Sequence, residues 1–156
     1  MSITTNAAIE FFGTATDLSN SVAAVTDGAF SNGTTDLDAF TNDDDANYAA
    51  AVLRCQYATG TVGSAPYVNL YGRLMNVDGT DDEAVPDASY QEKPFGTFHI
   101  DPNWGTGTDT VKSIEIPLPN VYTSQVYNFY VENQTGVDFA TGWALTVTPK
   151  ALGPHA

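Results

Sequence analysis

The feature that most constrains this chain is a two-residue alternation of apolar and polar side chains through its centre and C-terminal half. Successive side chains of a pleated strand point to opposite faces, so such alternation marks strands with one face in a core. Across residues 46–58 one parity carries Ala49, Ala51, Leu53, Cys55 and Tyr57, and the other carries Tyr48, Arg54 and Gln56. Residues 66–77 repeat the pattern, with Val68, Leu70, Gly72 and Leu74 inward and Asn69, Tyr71 and Arg73 outward. Further runs lie at 95–100, 110–116, 125–132 and 142–148, with inward sets such as Tyr127, Phe129, Val131 and Trp143, Leu145, Val147. A shorter run at 9–13 is expected as an edge or arm strand. No long stretch shows a 3.6-residue period. Leu18, Val22 and Val25 would share a helical face for a single turn at most before Gly28 interrupts it.

Between the runs, residues 76–79, 102–107, 117–120 and 133–136 hold turn-forming Asn, Asp, Pro and Gly. Short strands joined this tightly leave no room for crossover helices, so they pair antiparallel. The expected fold is all-β, an antiparallel β-sandwich of jelly-roll type, with a closed barrel as second choice. At 156 residues the chain suits one domain. Residues 1–45, rich in Ala, Asp, Asn, Ser, Thr and Gly, read as an irregular acidic N-terminal arm. The sandwich is then expected over 46–150 and a C-terminal tail over 151–156.

Composition narrows the function. The longest apolar run, residues 48–53, falls far short of the ~20 residues of a spanning helix, so no membrane partner is expected. The first residues carry neither a basic patch nor an apolar stretch, which predicts synthesis and retention in a cytoplasm rather than Sec-type secretion. A formal net charge of −14, with a sequence pI near 4.1, repels phosphate backbones, so nucleic acid is not an expected partner either. That charge suits a particle surface, a cationic partner, cation binding or a saline habitat.

Residues able to do chemistry are sparse. Cys55 is alone, so neither a disulfide framework nor a cysteine-built zinc site is expected. His99 falls in a strand on the outward parity, and His155 is next to last. Ser64, in Gly63-Ser64-Ala65-Pro66, lacks the glycine spacing of a nucleophile elbow. The acids cluster in loops, as Asp43-Asp44-Asp45 and as Asp78 with Asp81-Asp82-Glu83, away from strand aromatics that would frame a glycosidic site. Neither cluster follows the Asp-x-Asp-x-Asp-Gly spacing of a calcium loop, and solvated acidic turns are the simpler reading. Asn32-Gly33-Thr34 and Asn133-Gln134-Thr135 match glycosylation sequons by chance. No catalytic residue, metal ligand or cofactor is assigned.

Aromatics say more. Tyr48, Tyr67, Tyr71, Tyr122 and Tyr130 fall on the parity opposite the core or in loops, where tyrosine supplies rigid contact area with a polar tip. Scattered tyrosines on a wet sheet face would look the same. Residues 3–13 offer an exposed edge for a neighbouring chain. The expected partner contacts are therefore Ile3, Ile9, Phe11, Phe12, Tyr48, Tyr71, Tyr122 and Tyr130.

Pro117-Leu118-Pro119 ahead of Tyr127-Asn128-Phe129-Tyr130-Val131-Glu132-Asn133-Gln134-Thr135-Gly136 resembles small virion proteins of tailed bacteriophages. Val68-Asn69-Leu70-Tyr71-Gly72 with Val77-Asp78-Gly79-Thr80, and Phe95-Gly96-Thr97-Phe98, have the same look, so the resemblance covers residues 46–148. It implies a non-enzymatic capsid decoration or cement protein on the virion surface, made in the host bacterial cytoplasm. Its implied partners are the major capsid protein and its own copies, as a homo-oligomer with a trimer favoured. Other virion parts, such as a head fibre base or tail component, share the composition. From other classes come a carbohydrate- or calcium-binding module, stacking ligands on outward tyrosines and Trp104, and a hydrolase, which the absence of a presented nucleophile disfavours.

Overall fold

Inward and outward parities sort into two layers in the computed structural model, which describes residues 8–20, 22–32, 35–89 and 93–154. Its strands are β1 (Ala8–Phe12), β2 (Thr16–Asp17), β3 (Phe40–Thr41), β4 (Tyr48–Cys55), β5 (Tyr67–Leu74), β6 (Gly96–His99), β7 (Thr110–Pro117), β8 (Val126–Gln134) and β9 (Ala144–Pro154). One sheet has the order β1-β9-β4-β7, with β2 also on β9, and the other has the order β3-β8-β5-β6. Phe12 faces Lys150 and Thr16 faces Val147, so the outer strand spends one residue more than β9 between those pairs. One extra residue is the signature of a β-bulge. β1 and β2 thus behave as a single kinked edge strand.

Counting that strand once leaves eight, and the pairs β1/β2 with β9, β3 with β8, β4 with β7 and β5 with β6 nest inside one another, all antiparallel. They form one long double-stranded ribbon. Rolling it up sets β4 beside β9 and β5 beside β8, which completes two four-stranded layers. This is the jelly roll, and the sandwich expected from the alternation is the architecture found.

Between the layers, Ala49, Ala51, Leu53, Leu145 and Val147 of one sheet meet Val68, Leu70, Phe98, Tyr127, Phe129 and Val131 of the other, all buried. Each large apolar side chain removed from water here contributes about 1.5–3 kcal/mol. Two glycines mark where the packing is tightest. A Cβ on Gly72 would run into the Phe95 ring, which itself packs edge-on against Tyr127 and Phe129 at centroid distances of 6.3 Å. One on Gly96 would lie 2.6 Å from Ile114 Cδ1, where β6 meets β7.

The segment before β4 differs from the expected arm. Its described backbone is largely irregular, with no helical turn among the described residues of 18–30, yet Leu18, Val25, Leu37 and Phe40 are buried in the core. Bonds to strand edges hold it there: Leu18 N–H donates to Leu145 O, Gly28 N–H to Asn133 O and Ser31 N–H to Val131 O. Asn133 completes the anchorage from β8. Its Nδ2 donates to the carbonyls of Val25 (2.9 Å) and Val137 (2.8 Å), while its Oδ1 accepts from Thr135 N (3.1 Å) and Thr135 Oγ1 (2.7 Å). The second sequon is therefore an internal staple with its amide nitrogen committed. At the other terminus, residues 151–154 continue β9 instead of forming a tail. Ile3 and His155 lie outside the described residues.

Candidate functional site

The last pair between β4 and β9 is Tyr48 with Lys150, whereas β1 stays paired to β9 as far as Ala8 with Pro154. Residues 8–11 and 151–154 therefore overhang the sheet as a two-stranded ribbon. Directly opposed residues share a face, so Phe11 and Ala151 continue the inward parity of Val147 and Pro149, while Phe12 with Lys150 and Glu10 with Leu152 face outward. The inner apolar face thus runs on past the point where the second sheet stops covering it. Phe11 is 50% exposed, Phe12 62% and Leu152 66%. At the base of the ribbon a notch of about 210 Å³ lies between Phe11, Phe12, Asp44, Ala46 and Pro149.

Lys150 ties this ribbon to the sandwich. Its Nζ lies 2.6 Å from Glu10 Oε1 and 2.9 Å from Glu115 Oε2, and sits 5.3 Å and 5.2 Å from the ring centroids of Phe12 and Tyr48. The bonds to Glu10 and then Glu115 hold its ammonium well above the usual lysine range. β1 is thereby fastened through its side chains as well as its backbone.

Three loops gather at the same end. Asn42 Nδ2 donates to Ala46 O and Asn120 Oδ1, each at 2.8 Å, and Ser124 N–H donates to Asp45 Oδ1, which locks residues 42–47 to 118–125. Tyr122 OH (2.8 Å) and Gln125 Nε2 (2.9 Å) both reach Met75 O, bringing in the 75–83 loop. These loops expose Val121 and Tyr122, together with Asp43, Asp44, Asp45, Asp78 and Asp81. The acids of the 75–83 loop serve their own turn. Asp78 Oδ1 accepts the N–H groups of Asp81 and Thr80, which lowers its pKa, and Asp82 pairs with Arg73 at 3.3 Å. No group of three or more metal-ligating side chains converges among the described residues.

Of the expected contacts, Phe11, Phe12, Tyr48 and Tyr122 come together at this end, and the backbone of Ile9 lies in β1. Tyr71 and Tyr130 do not, and the expectation that they form a contact face is corrected. They point outward from β5 and β8 but are only 8% and 3% exposed. Phe30 packs against Tyr71 with tilted rings at a centroid distance of 5.5 Å, and Phe30, Val85 and Pro86 line one hollow with Tyr130. Trp104 is likewise unavailable as a stacking platform. It is buried, bonds Thr108 O through Nε1 at 2.7 Å, and packs against Tyr57 and Phe139. Residue-by-residue reading missed Leu152 and Lys150, assigned to a tail and to the last position of the sandwich, and Val121, left unassigned between the 117–120 turn and the 125–132 run.

Elsewhere the reactive groups are quiet. Cys55 is buried, and its thiol is pushed up to about 12 by desolvation with a contribution from Asp109, which removes the nucleophilic thiolate. His99 is exposed at the end of β6, opposite Tyr67. Among the described residues no helix is long and apolar enough to cross a membrane. Comparison with family models, curated proteins and solved structures finds no match to this chain.

Proposed function

We propose that this protein is a non-enzymatic structural protein of a tailed-phage virion, a capsid decoration or cement protein. In this reading it binds the assembled head shell through the overhanging ribbon and the acidic loops beside it. The observation that carries the proposal is the overhanging ribbon, which continues the core face uncovered at Phe11 and carries Phe12 and Leu152 on its outer face, all three half or more exposed at the end that also exposes Val121 and Tyr122. Large apolar groups gathered at one end of a small domain favour contact with another surface over contact with water. The jelly-roll topology is used by capsid proteins among others, and supports the reading only as fold-level analogy.

Charge selects the kind of partner. The rim of this end is acidic, and its bases Lys150 and Arg73 are already paired with Glu10, Glu115 and Asp82. Two copies meeting end to end would oppose like charges at a net −14 each. The complement is a different chain, apolar at its centre and basic around it, which we take to be the major capsid protein. Trimers on a symmetric shell would repeat modest contacts many times, and binding only the mature lattice stabilises it by linkage.

Purified protein mixed with expanded empty shells of the major capsid protein encoded in the same genome is expected to co-sediment saturably at fixed stoichiometry. Binding should weaken as salt rises, because the charged rim is exposed and screened. Protein that stays in the supernatant at every salt concentration overturns the proposal.

A further inference from the structure

We infer that the outer face of β5, β6 and β8, at the opposite end of β5 from the acidic loops, is a binding site for a neutral saccharide. The register places Tyr67 between His99 and Gln134, and Asn69 between Thr97 and Glu132. Side chains two residues apart share a face, so these six form two adjacent rows of three.

The rows are wired before any ligand arrives. Glu132 Oε2 accepts from Asn69 Nδ2 at 2.8 Å and from Tyr71 OH at 3.1 Å, Glu132 Oε1 accepts from Gln134 Nε2 at 2.9 Å, and Asn69 Oδ1 accepts from Thr97 Oγ1 at 2.8 Å. Asn69, Thr97, Glu132 and Gln134 are all half-buried, so water competes for the bonds among them, while the Tyr71 side chain that also binds Glu132 is buried. Holding such side chains in one arrangement costs rotamer entropy, for hydrogen bonds that are individually modest next to water. A face that only needed solvation would gain little from that order, whereas a polar ligand gains from groups already positioned.

The chemistry of the rows chooses the ligand. A carboxylate between two primary amides offers adjacent acceptors and donors, the set that pairs of neighbouring sugar hydroxyls satisfy. Tyr67, 36% exposed at the end of the rows, supplies an aromatic surface for the C–H face of a pyranose ring. Neither row contains Lys or Arg, and Arg73, farther along β5, is engaged by Asp82 and the Glu83 carbonyl. With a net charge of −14, phosphorylated, sulfated or uronic ligands are disfavoured, which leaves neutral sugars.

The test is a titration of the full, isotope-labelled chain with maltohexaose, cellohexaose, mannohexaose and chitohexaose, followed by amide chemical shifts. At least one is expected to move resonances at 67–71, 97–99 and 132–134 and to leave the ribbon residues 8–12 unmoved. Tyr67→Ala and Glu132→Gln are each expected to weaken binding about tenfold, from the lost ring contact and the lost charge-assisted bonds. Gln134→Ala is the second variant, should Glu132→Gln fail to fold. No shift on this face with any of the four sugars overturns the inference, as does unchanged affinity in Tyr67→Ala and Gln134→Ala. Neither result bears on shell binding, which uses the other end.

Discussion

Asn133→Ala is expected to lower the folding free energy by roughly 2–4 kcal/mol, read as a fall in the denaturant midpoint at unchanged slope. The reason is local bookkeeping of hydrogen bonds. Asn133 is fully buried and makes four of them through its side chain, two given by its amide nitrogen and two received by its carbonyl oxygen. Alanine leaves the N–H of Thr135 without this partner in a dry interior, and a buried unsatisfied group costs about 1–3 kcal/mol, to which the three other lost bonds add. Val25 O keeps its bond from the Phe139 N–H and Val137 O its bond from Thr135 Oγ1, which limits the loss. Because Val25 belongs to the covering segment and Val137 to the loop after β8, the variant should also detach residues 22–31. Faster amide exchange at Gly28 and Ser31, whose N–H groups bond Asn133 O and Val131 O, checks that second consequence. A loss below about 1 kcal/mol would mean that the covering segment is held by something else.

The double variant Phe11→Ser, Phe12→Ser is expected to weaken shell binding by about a hundredfold or more while leaving the fold intact. Aromatic anchors at the centre of an interface cost about 2 kcal/mol or more each on truncation, and two of them multiply to that range. Folding should notice little, since both rings are at least half exposed and the contact of Phe12 with Lys150 is an exposed cation–π pair worth about 0.5–1 kcal/mol. Val111→Ser is the matched control. Val111 is 59% exposed but sits at the other end of β7, opposite Arg54, so its loss should leave shell binding unchanged. Equal weakening by the control and the double variant would point to a diffuse contact and remove the ribbon from its central place.

Much of the fold was legible because most of the long strands keep one face dry, β7 being the exception with only Ile116 fully covered. Ala49, Ala51, Leu53 and Cys55, or Tyr127, Phe129 and Val131, repeat at the period of the pleat, and all are buried. The covering segment escaped because its burial is intermittent. Leu18 and Val25 lie seven residues apart, a helical spacing that this backbone does not use, and Leu37 and Phe40 follow no sustained period, since the segment bridges to itself at Ser19 with Leu37 and touches β8 at the single bridge of Phe30 with Glu132. That segment also explains Tyr71 and Tyr130. Parity tells which side of a sheet a residue occupies and is silent on whether another part of the chain lies over that side.

The candidate site was legible in part for a similar reason. Phe11 and Phe12 stand out in any edge strand, because two adjacent aromatics put one on each face and only one can follow the core. Their partnership with Leu152 depends on β9 outrunning β4, and with Tyr122 on the Asn42 and Gln125 bonds that draw the loops together. Such pairings span most of the chain length, and no local pattern carries them. The alternation across 142–148 stops at Pro149, which made the residues beyond it look like a tail. They remain strand because β1 supplies the hydrogen bonds.

Hydrogen–deuterium exchange of the protein free and bound to shells tests the docking end most directly. Protection is predicted at residues 8–12, 42–47, 119–124 and 150–154, with the rows around Tyr67 and Glu132 exchanging as in the free protein. Protection confined to β5, β6 and β8, or an exchange pattern identical with and without shells, would contradict it.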